Sequence, residues 1–241
     1  MQLGRDGEIP LVGNGSAQAA LVLLSGGLDS ATCLYWARQH YGEVHAITFD
    51  YAGRLEKEKQ ATGLLAKAAR VSKFTKIDLP FLKEMSEFEV AERQDPLRDS
   101  RWSSYIPARN MIFYSIAAFH AEALGINAIV GGHNAHDSAF FKDSSPDFFE
   151  HLNNLLERGC LSCNGKTYKI ILPLAELTRQ QIIRLAMQLG VPIDLTWSCH
   201  EDDEVPCGRC YACKQRAEAF DALKVSDPAL IVRQSHNPKK G

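Results

Sequence analysis

The sequence predicts an α/β protein built on a doubly wound, mostly parallel sheet, with a small four-cysteine appendage near its C-terminus. Three observations carry this prediction. Short apolar runs recur along the chain at 19–24, 44–49, 73–79, 127–132 and 169–173, each of a length suited to a buried strand. Longer stretches with helical spacing separate them, the alternation that yields parallel sheets covered on both faces. Finally, Cys199, Cys207, Cys210 and Cys213 crowd into fifteen residues, beyond the last strand.

Taken in order, residues 1–18 are polar and Gly-rich and read as an extension. The run AALVLL (19–24) is the first strand, SGGLDS turns the chain, and 30–40 is an amphipathic helix. VHAITF (44–49) is a second strand ending at Asp50. The stretch 54–70 carries Leu64, Leu65, Ala68 and Ala69 at helical spacing, and KFTKIDL (73–79) is the third strand. Residues 80–106 are charged and irregular, an insertion over the sheet edge. A helix over 109–124 precedes the strand NAIVGG (127–132), a polar loop spans 133–147, and a helix follows at 147–158. KIILP (169–173) is the last strand. Thr178 and Gln181 have capping-box spacing, so a helix opens there, and Pro192 closes that segment. A short helix (214–223) and a solvated tail complete the chain. The expected organisation is an extension (1–18), a nucleotide-binding α/β body (19–195), a metal-binding and helical segment (196–225) and a tail (226–241).

Composition narrows the class. The 241 residues, 45% hydrophobic, suit one α/β domain with an appendage. Lys and Arg number 27 against 29 Asp and Glu, a net charge of −2. A protein gripping a large nucleic acid by its phosphates is usually more basic, so the substrate is expected to be small. The run at 19–24 is too short to cross a bilayer, and the first twenty residues lack the basic start and apolar core of a signal peptide. Seven cysteines, four of them clustered, point to metal rather than disulfides and to a cytoplasmic setting.

Ser25-Gly26-Gly27-Leu28-Asp29-Ser30 joins a strand to a helix. Glycines let backbone amides approach a phosphate, and the helix N-terminus offers free N–H groups and a positive dipole to the same anion. Ser25 and Ser30 add hydroxyls, and Asp29 is placed to hold Mg2+. The competing reading is a plain Gly-rich turn with Asp29 or Ser30 as N-cap. Cys199, Cys207, Cys210 and Cys213 have the spacing of a closed tetrahedral thiolate site of the kind Zn2+ takes in structural roles. Cys160 and Cys163 form a weaker pair without an assigned role, and Cys33 is a core residue.

SGGLDS resembles the pyrophosphate-binding loop of the ATP pyrophosphatase (PP-loop) superfamily, whose sheet is of the adenine-nucleotide alpha hydrolase kind. Further features resemble the 7-cyano-7-deazaguanine synthase family of queuosine biosynthesis, over residues 20–220. They are Phe49-Asp50-Tyr51 followed by Arg54 and Glu58, then Ile106-Pro107-Ala108-Arg109-Asn110 (similar to the family's Pro-Gly-Arg-Asn), and the four cysteines with Arg216 just beyond. The resemblance implies that ATP adenylates 7-carboxy-7-deazaguanine, that ammonia attacks the acyl adenylate, and that the amide is activated again and dehydrated to a nitrile. It implies ATP, Mg2+ and Zn2+ as cofactors and a homodimer as the assembly. Nucleotide contacts are then expected from Ser25, Gly26, Gly27, Leu28, Asp29, Ser30, Phe49, Asp50, Arg54 and Gly132, and catalytic roles from Asp29, Arg109, Asp137 and Asp143.

The acceptor half departs from the family pattern. Ala52, Gly53 and Leu55 replace its Gly-Gln and His, and residues 139–145 (AFFKDSS) stand where it shows Ser-Gly-Tyr-Pro-Asp-Cys-Arg, with Asp143 alone matching. This predicts a divergent paralogue with an altered pocket. Such a paralogue passes the acyl group to another amine, of a nucleic acid or a protein, in a defence or modification pathway, and stops at an amide. Two other readings stay open: a tRNA-modifying enzyme, which the net charge disfavours, and a zinc-stabilised, non-catalytic binding subunit, which the intact SGGLDS disfavours. His133 and His136 are candidates for proton transfer, and Phe140 and Phe141 for stacking on a flat base.

Overall fold

A computed structural model of the chain describes residues 16–51, 53–85, 106, 108–161 and 168–229. The expectations for the first fifteen residues, for most of the charged insertion, and for Pro107, Cys163 and the tail lie outside these.

Five strands form one parallel sheet: β1 (Ser16–Leu23), β2 (Tyr41–Asp50), β3 (Lys73–Asp78), β4 (Ala128–Val130) and β5 (Lys169–Ile171). Their spatial order is β3-β2-β1-β4-β5. The connecting helices are α1 (Leu28–His40), α2 (Glu56–Ala68), α3 (Pro80–Met85), α4 (Arg109–Leu124), α5 (Ala135–Phe140), α6 (Pro146–Gly159), α7 (Arg179–Gln188) and α8 (Tyr211–Ala222). The predicted parallel, doubly wound architecture is therefore present.

Strand side chains alternate between two cores, as the pleat dictates. Ala20, Val22 and Leu24 point to one face with Val44 and Ala46 of β2, and meet α1, α2, α7 and α8. Leu21, Ile47, Phe49 and Ile129 point to the other, against α3, α4 and α6. Because every central strand is buried on both faces, its sequence is a run of apolar residues rather than an alternation, which is why the strands were legible.

Two differences from the sequence reading have local causes. β1 begins at Ser16, ahead of the apolar run, because Ser16 pairs with Tyr41 and extends the ladder to β2. The stretch 133–147 is not a loop throughout: it contains α5 and a 3-10 turn, Lys142–Ser144. Asn134 starts α5 with a capping box to Asp137, and Ser145 caps α6 with Pro146 in its first turn. The capping box read at Thr178 and Gln181 is formed, with Gln181 N donating to Thr178 Oγ1 at 3.3 Å and Thr178 N to Gln181 Oε1 at 2.8 Å.

Candidate active site

The strand order places a topological switch between β1 and β4. The chain leaves β1 toward α1 on one face, whereas α4, which leads into β4, lies on the other. Connections that part in this way open a crevice at the carboxyl ends of the strands. A cavity of about 790 Å³ occupies that position, floored by Ser25, Gly27–Ser30 and Gly132.

The loop between β1 and α1 owes its shape to one obligatory glycine. Gly26 has φ +97°, and a β-carbon there would lie 2.7 Å from the Glu58 carbonyl oxygen, so both conformation and space exclude a side chain. Its own carbonyl accepts the Trp197 N–H at 2.9 Å. Gly27 is the N-cap of α1 and offers no side-chain cap, so neither Asp29 nor Ser30 plays the capping role of the competing reading. The first-turn amides of α1 thus have no partner within the helix, and the residues that carry them, Leu28, Asp29 and Ser30, border the cavity. Ser30 is buried and its hydroxyl is used within the loop, donating to the Gly27 carbonyl at 3.0 Å while Ser25 Oγ donates to it at 3.0 Å. Gly132 permits the other close approach, since a β-carbon there would stand 3.1 Å from the Ser30 amide nitrogen.

Asp29 and Asp137 meet at the floor of this cavity, joined by Asn134. The Asn134 amide donates to Asp29 Oδ2 at 2.8 Å, and its backbone N–H donates to Asp137 Oδ2 at 3.3 Å. Its Oδ1 accepts from the amides of His136 and Asp137. Burial, and then the like charge of Asp137, push Asp29 up to about 6 against the pull of Arg179 and the Asn134 hydrogen bond. Asp137 is raised as well, by burial. Two carboxylates confined together are costly when both ionise, and a divalent cation between them removes that cost.

The sign of the pH effect follows. Asp29 binds its proton more tightly in the fold than its ordinary value of 3.8, so its stabilising contribution is present below about pH 4 and is lost as pH rises through about 6. A cation competes with that proton. Mg2+ or Mn2+ affinity at this site is therefore expected to climb as pH rises from about 5 to about 7 and then to level off. Calorimetric titration across that range checks this, and a flat profile would count against Asp29 as ligand.

Cationic and aromatic groups complete the walls. Arg109 lies close enough to depress His133, which burial first and Arg109 second bring down to about 4; the imidazole is thus neutral at pH 7. Arg179, in the first turn of α7, approaches His136 Nδ1 with Nη2 at 3.5 Å, and Tyr211 Oη lies 3.3 Å from His136 Nε2. An arginine can only donate, so Nδ1 is the acceptor in this contact. Phe113 stacks on Phe49 with centroids 4.3 Å apart and touches Tyr51 at 5.6 Å. Phe140 and Phe141 also border the cavity.

Of the residues predicted from sequence, Ser25, Gly27, Leu28, Asp29, Ser30, Phe49, Arg54, Arg109, Gly132 and Asp137 line this cavity. Gly26 shapes it from behind. Asp50 does not border it and pairs with Lys59 at 3.1 Å. Asp143 does not border it either; its carbonyl accepts from Asn110 Nδ2 at 2.9 Å. Arg54 is turned onto backbone, donating to the carbonyls of Phe49 and Ser25. Arg216 is held by Asp227, Thr196 and Ser198. Sequence reasoning missed Asn134 and Arg179. Asn134-x-x-Asp137 carries capping-box spacing, and Arg179 repeats the anomaly of Arg109, a cation in a helical first turn where the dipole disfavours it. Ala108, ahead of Arg109, has φ 54°, a left-handed conformation that explains why the related motif carries glycine there.

The four predicted thiols also come together. The sulfurs of Cys199, Cys207, Cys210 and Cys213 all lie within 4.8 Å of one another. Tetrahedral ligation at about 2.3 Å places sulfurs about 3.8 Å apart, so the donor set fits one metal ion. Backbone amides donate to the sulfurs, those of Glu201 and Cys207 to Cys199, Cys210 to Cys207, and Cys213 to Cys210. Such bonds favour thiolates. Among the described residues, no helix is long and apolar enough to cross a membrane.

Comparison with known proteins matches residues 19–224 to the family described as queuosine biosynthesis protein QueC. The chain is 38% identical to a 7-cyano-7-deazaguanine synthase of Thermoplasma volcanium over 87% of this chain and 89% of that protein. It is 36% identical to one of Nostoc punctiforme, over 88% and 98% respectively. Among solved structures, an NMN synthetase of Francisella tularensis aligns over 92% of this chain and 86% of its own, with 20% identity and a TM-score of 0.48.

Proposed function

Since this chain belongs to the queuosine biosynthesis protein QueC family, we propose that it is an ATP-dependent synthase that converts 7-carboxy-7-deazaguanine to the nitrile. The single observation that carries this reading is the convergence, in one cavity at the switch point, of the free α1 amides with the Asp29–Asn134–Asp137 cluster, flanked by Arg109 and Arg179.

A carboxylate resists attack by amines, and attaching AMP supplies a leaving group. A substrate carboxylate oxygen attacks the α-phosphorus of ATP and pyrophosphate departs. Ammonia then attacks the acyl carbon, a proton is lost and AMP leaves, giving the amide. A second adenylation on the amide oxygen and loss of AMP and a proton give the nitrile. Little covalent chemistry falls to the protein, which positions the reactants and neutralises charge. The α1 amides and Gly26–Gly27 cradle phosphate oxygens. Arg109 and Arg179 face developing negative charge. Asp29, with Asp137 beside it, would hold Mg2+, which would supply further neutralisation of phosphate charge. His133, buried beside Arg109 and held neutral, offers the substrate a hydrogen bond from an uncharged ring. The flat base packs among Phe49, Phe113 and Phe140. Cys199, Cys207, Cys210 and Cys213 would hold Zn2+ in a structural role, since four thiolates would complete its shell.

A second reading rests on the segment 139–144, where Ala139, Phe140, Phe141 and Ser144 border the cavity. This apolar border favours release of an amide, or transfer to an amine other than ammonia. The mass of the product formed from ATP, Mg2+, ammonia and 7-carboxy-7-deazaguanine decides between them. Nitrile is expected. Accumulated amide with one pyrophosphate per product would support the second reading, and no consumption of ATP would refute both.

A further inference from the structure

The cysteine cluster and the phosphate loop are joined by contacts that neither site needs for itself. α2 begins at Glu56 after Leu55, which provides no side-chain cap. The cap comes instead from a residue far along the chain. Asp202 accepts from the Glu56 amide with Oδ2 at 3.0 Å and from the Lys57 amide with Oδ1 at 2.8 Å. Asp202 belongs to the loop between Cys199 and Cys207. Its neighbour Glu201 is clamped to the metal-binding turn by both oxygens, at 2.8 and 3.2 Å from Arg209. The chain just before the cluster donates the Trp197 amide to Gly26, and the helix just after it presents Tyr211 to His136. The helix capped by Asp202 carries Glu58, whose carbonyl is the surface against which Gly26 packs.

We infer that Asp202 is a positioning residue that couples metal occupancy of the four-cysteine cluster to nucleotide binding, by capping α2 only when the metal holds its loop in place. This rests on the proposed nucleotide reading of the cavity. Physically, an ion that gathers four thiolates fixes the loop that runs between them. That loop then satisfies two orphan amides of α2 and holds the first turn of α2 against the back of the phosphate loop. Coupling of this kind is reciprocal, so bound nucleotide also tightens the metal.

The test compares the zinc-loaded wild-type chain with Asp202→Ala and Asp202→Asn. It reads amide hydrogen exchange at Glu56 and Lys57, zinc content, and ATP affinity by calorimetry with Mg2+ and no carboxylate acceptor. Asp202→Ala is expected to keep its zinc, to speed exchange at these amides and to weaken ATP binding, each by roughly fivefold, the size of a lost N-cap. Asn retains an acceptor and is expected to recover most of both. Removing zinc from the wild-type chain is expected to speed the same amides, and to add little in Asp202→Ala. Unchanged exchange and ATP affinity in zinc-loaded Asp202→Ala would overturn the inference, as would fully additive effects of the variant and zinc removal. If the chain unfolds without zinc, the two loaded variants decide alone. Failure of the loaded wild type to bind ATP would instead refute the nucleotide reading, while the exchange arm would still report on the clasp.

Discussion

Replacing Asp29 by Asn is expected to lower ATP-dependent pyrophosphate release by about a thousandfold or more while leaving the protein as stable as before, or more so. The two effects have one origin. Asp29 faces Asp137 in a confined site, and burial together with that neighbour raises it to about 6. In cation-free protein at neutral pH the ionised carboxylate therefore opposes folding. Asparagine removes the charge, and its Oδ1 still accepts the Asn134 amide that now reaches Asp29 at 2.8 Å. What disappears is the anionic ligand proposed to hold Mg2+ against the phosphates. Pyrophosphate release and the thermal midpoint, measured on the same preparation, check both halves. A variant retaining a tenth of wild-type release would remove Asp29 from the proposed chemistry. One that lost activity and unfolded early would show that the carboxylate pair is not strained.

Asp227→Ala is expected to cost about 3–5 kcal/mol of stability, read as a lower midpoint in urea at unchanged slope. Asp227 and Arg216 form a two-pronged pair, with Nε to Oδ2 at 2.6 Å and Nη2 to Oδ1 at 2.9 Å. Their side chains are 2% and 11% exposed. The guanidinium also donates to Thr196 Oγ1, Ser198 Oγ and the Ile193 carbonyl, and lies over the Phe220 ring. Removing the carboxylate leaves a buried cation with neutral partners only. Arg216→Ala is expected to cost a similar amount and the double variant less than the sum, because the second change removes an orphan the first created. A loss below about 1 kcal/mol for Asp227→Ala would show that water reaches Arg216 readily. The sequence reading grouped Arg216 with the family's markers near the cysteines. The structure gives it the job of pinning α8 to the segment 193–198.

Much of this was legible from local pattern. The strands are apolar because both faces of the sheet are covered, SGGLDS sits at a strand–helix junction, and the four cysteines have the spacing of a single ion's ligands. These features depend on neighbours along the chain. What escaped depends on neighbours in space. Asn134 became a bridge between two carboxylates only once β4 lay beside β1, and Arg179 entered the cavity only because α7 packs on α1. Asp202 is one of four successive acids, 201–204, and nothing in its local sequence announces the α2 amides it caps. Asp50 and Asp143 were expected at the site on position and resemblance, yet Asp50 pairs with Lys59 and Asp143 uses its carbonyl for Asn110. An acid at a strand end, as Asp50, or in a turn, as Asp143, can be placed in several ways, and spacing does not choose among them.

The bond from the Trp197 amide to the Gly26 carbonyl also bears on how the molecule is made. β1, α1 and β2 emerge from the ribosome early and can pair as they appear, but the rear support of their first turn is encoded some 170 residues later. That turn acquires its backing only after residue 197 has been made, and Asp227, which fastens the supporting segment, comes later still. Nascent chains halted before about residue 196 should carry the whole SGGLDS string and yet hold nucleotide poorly.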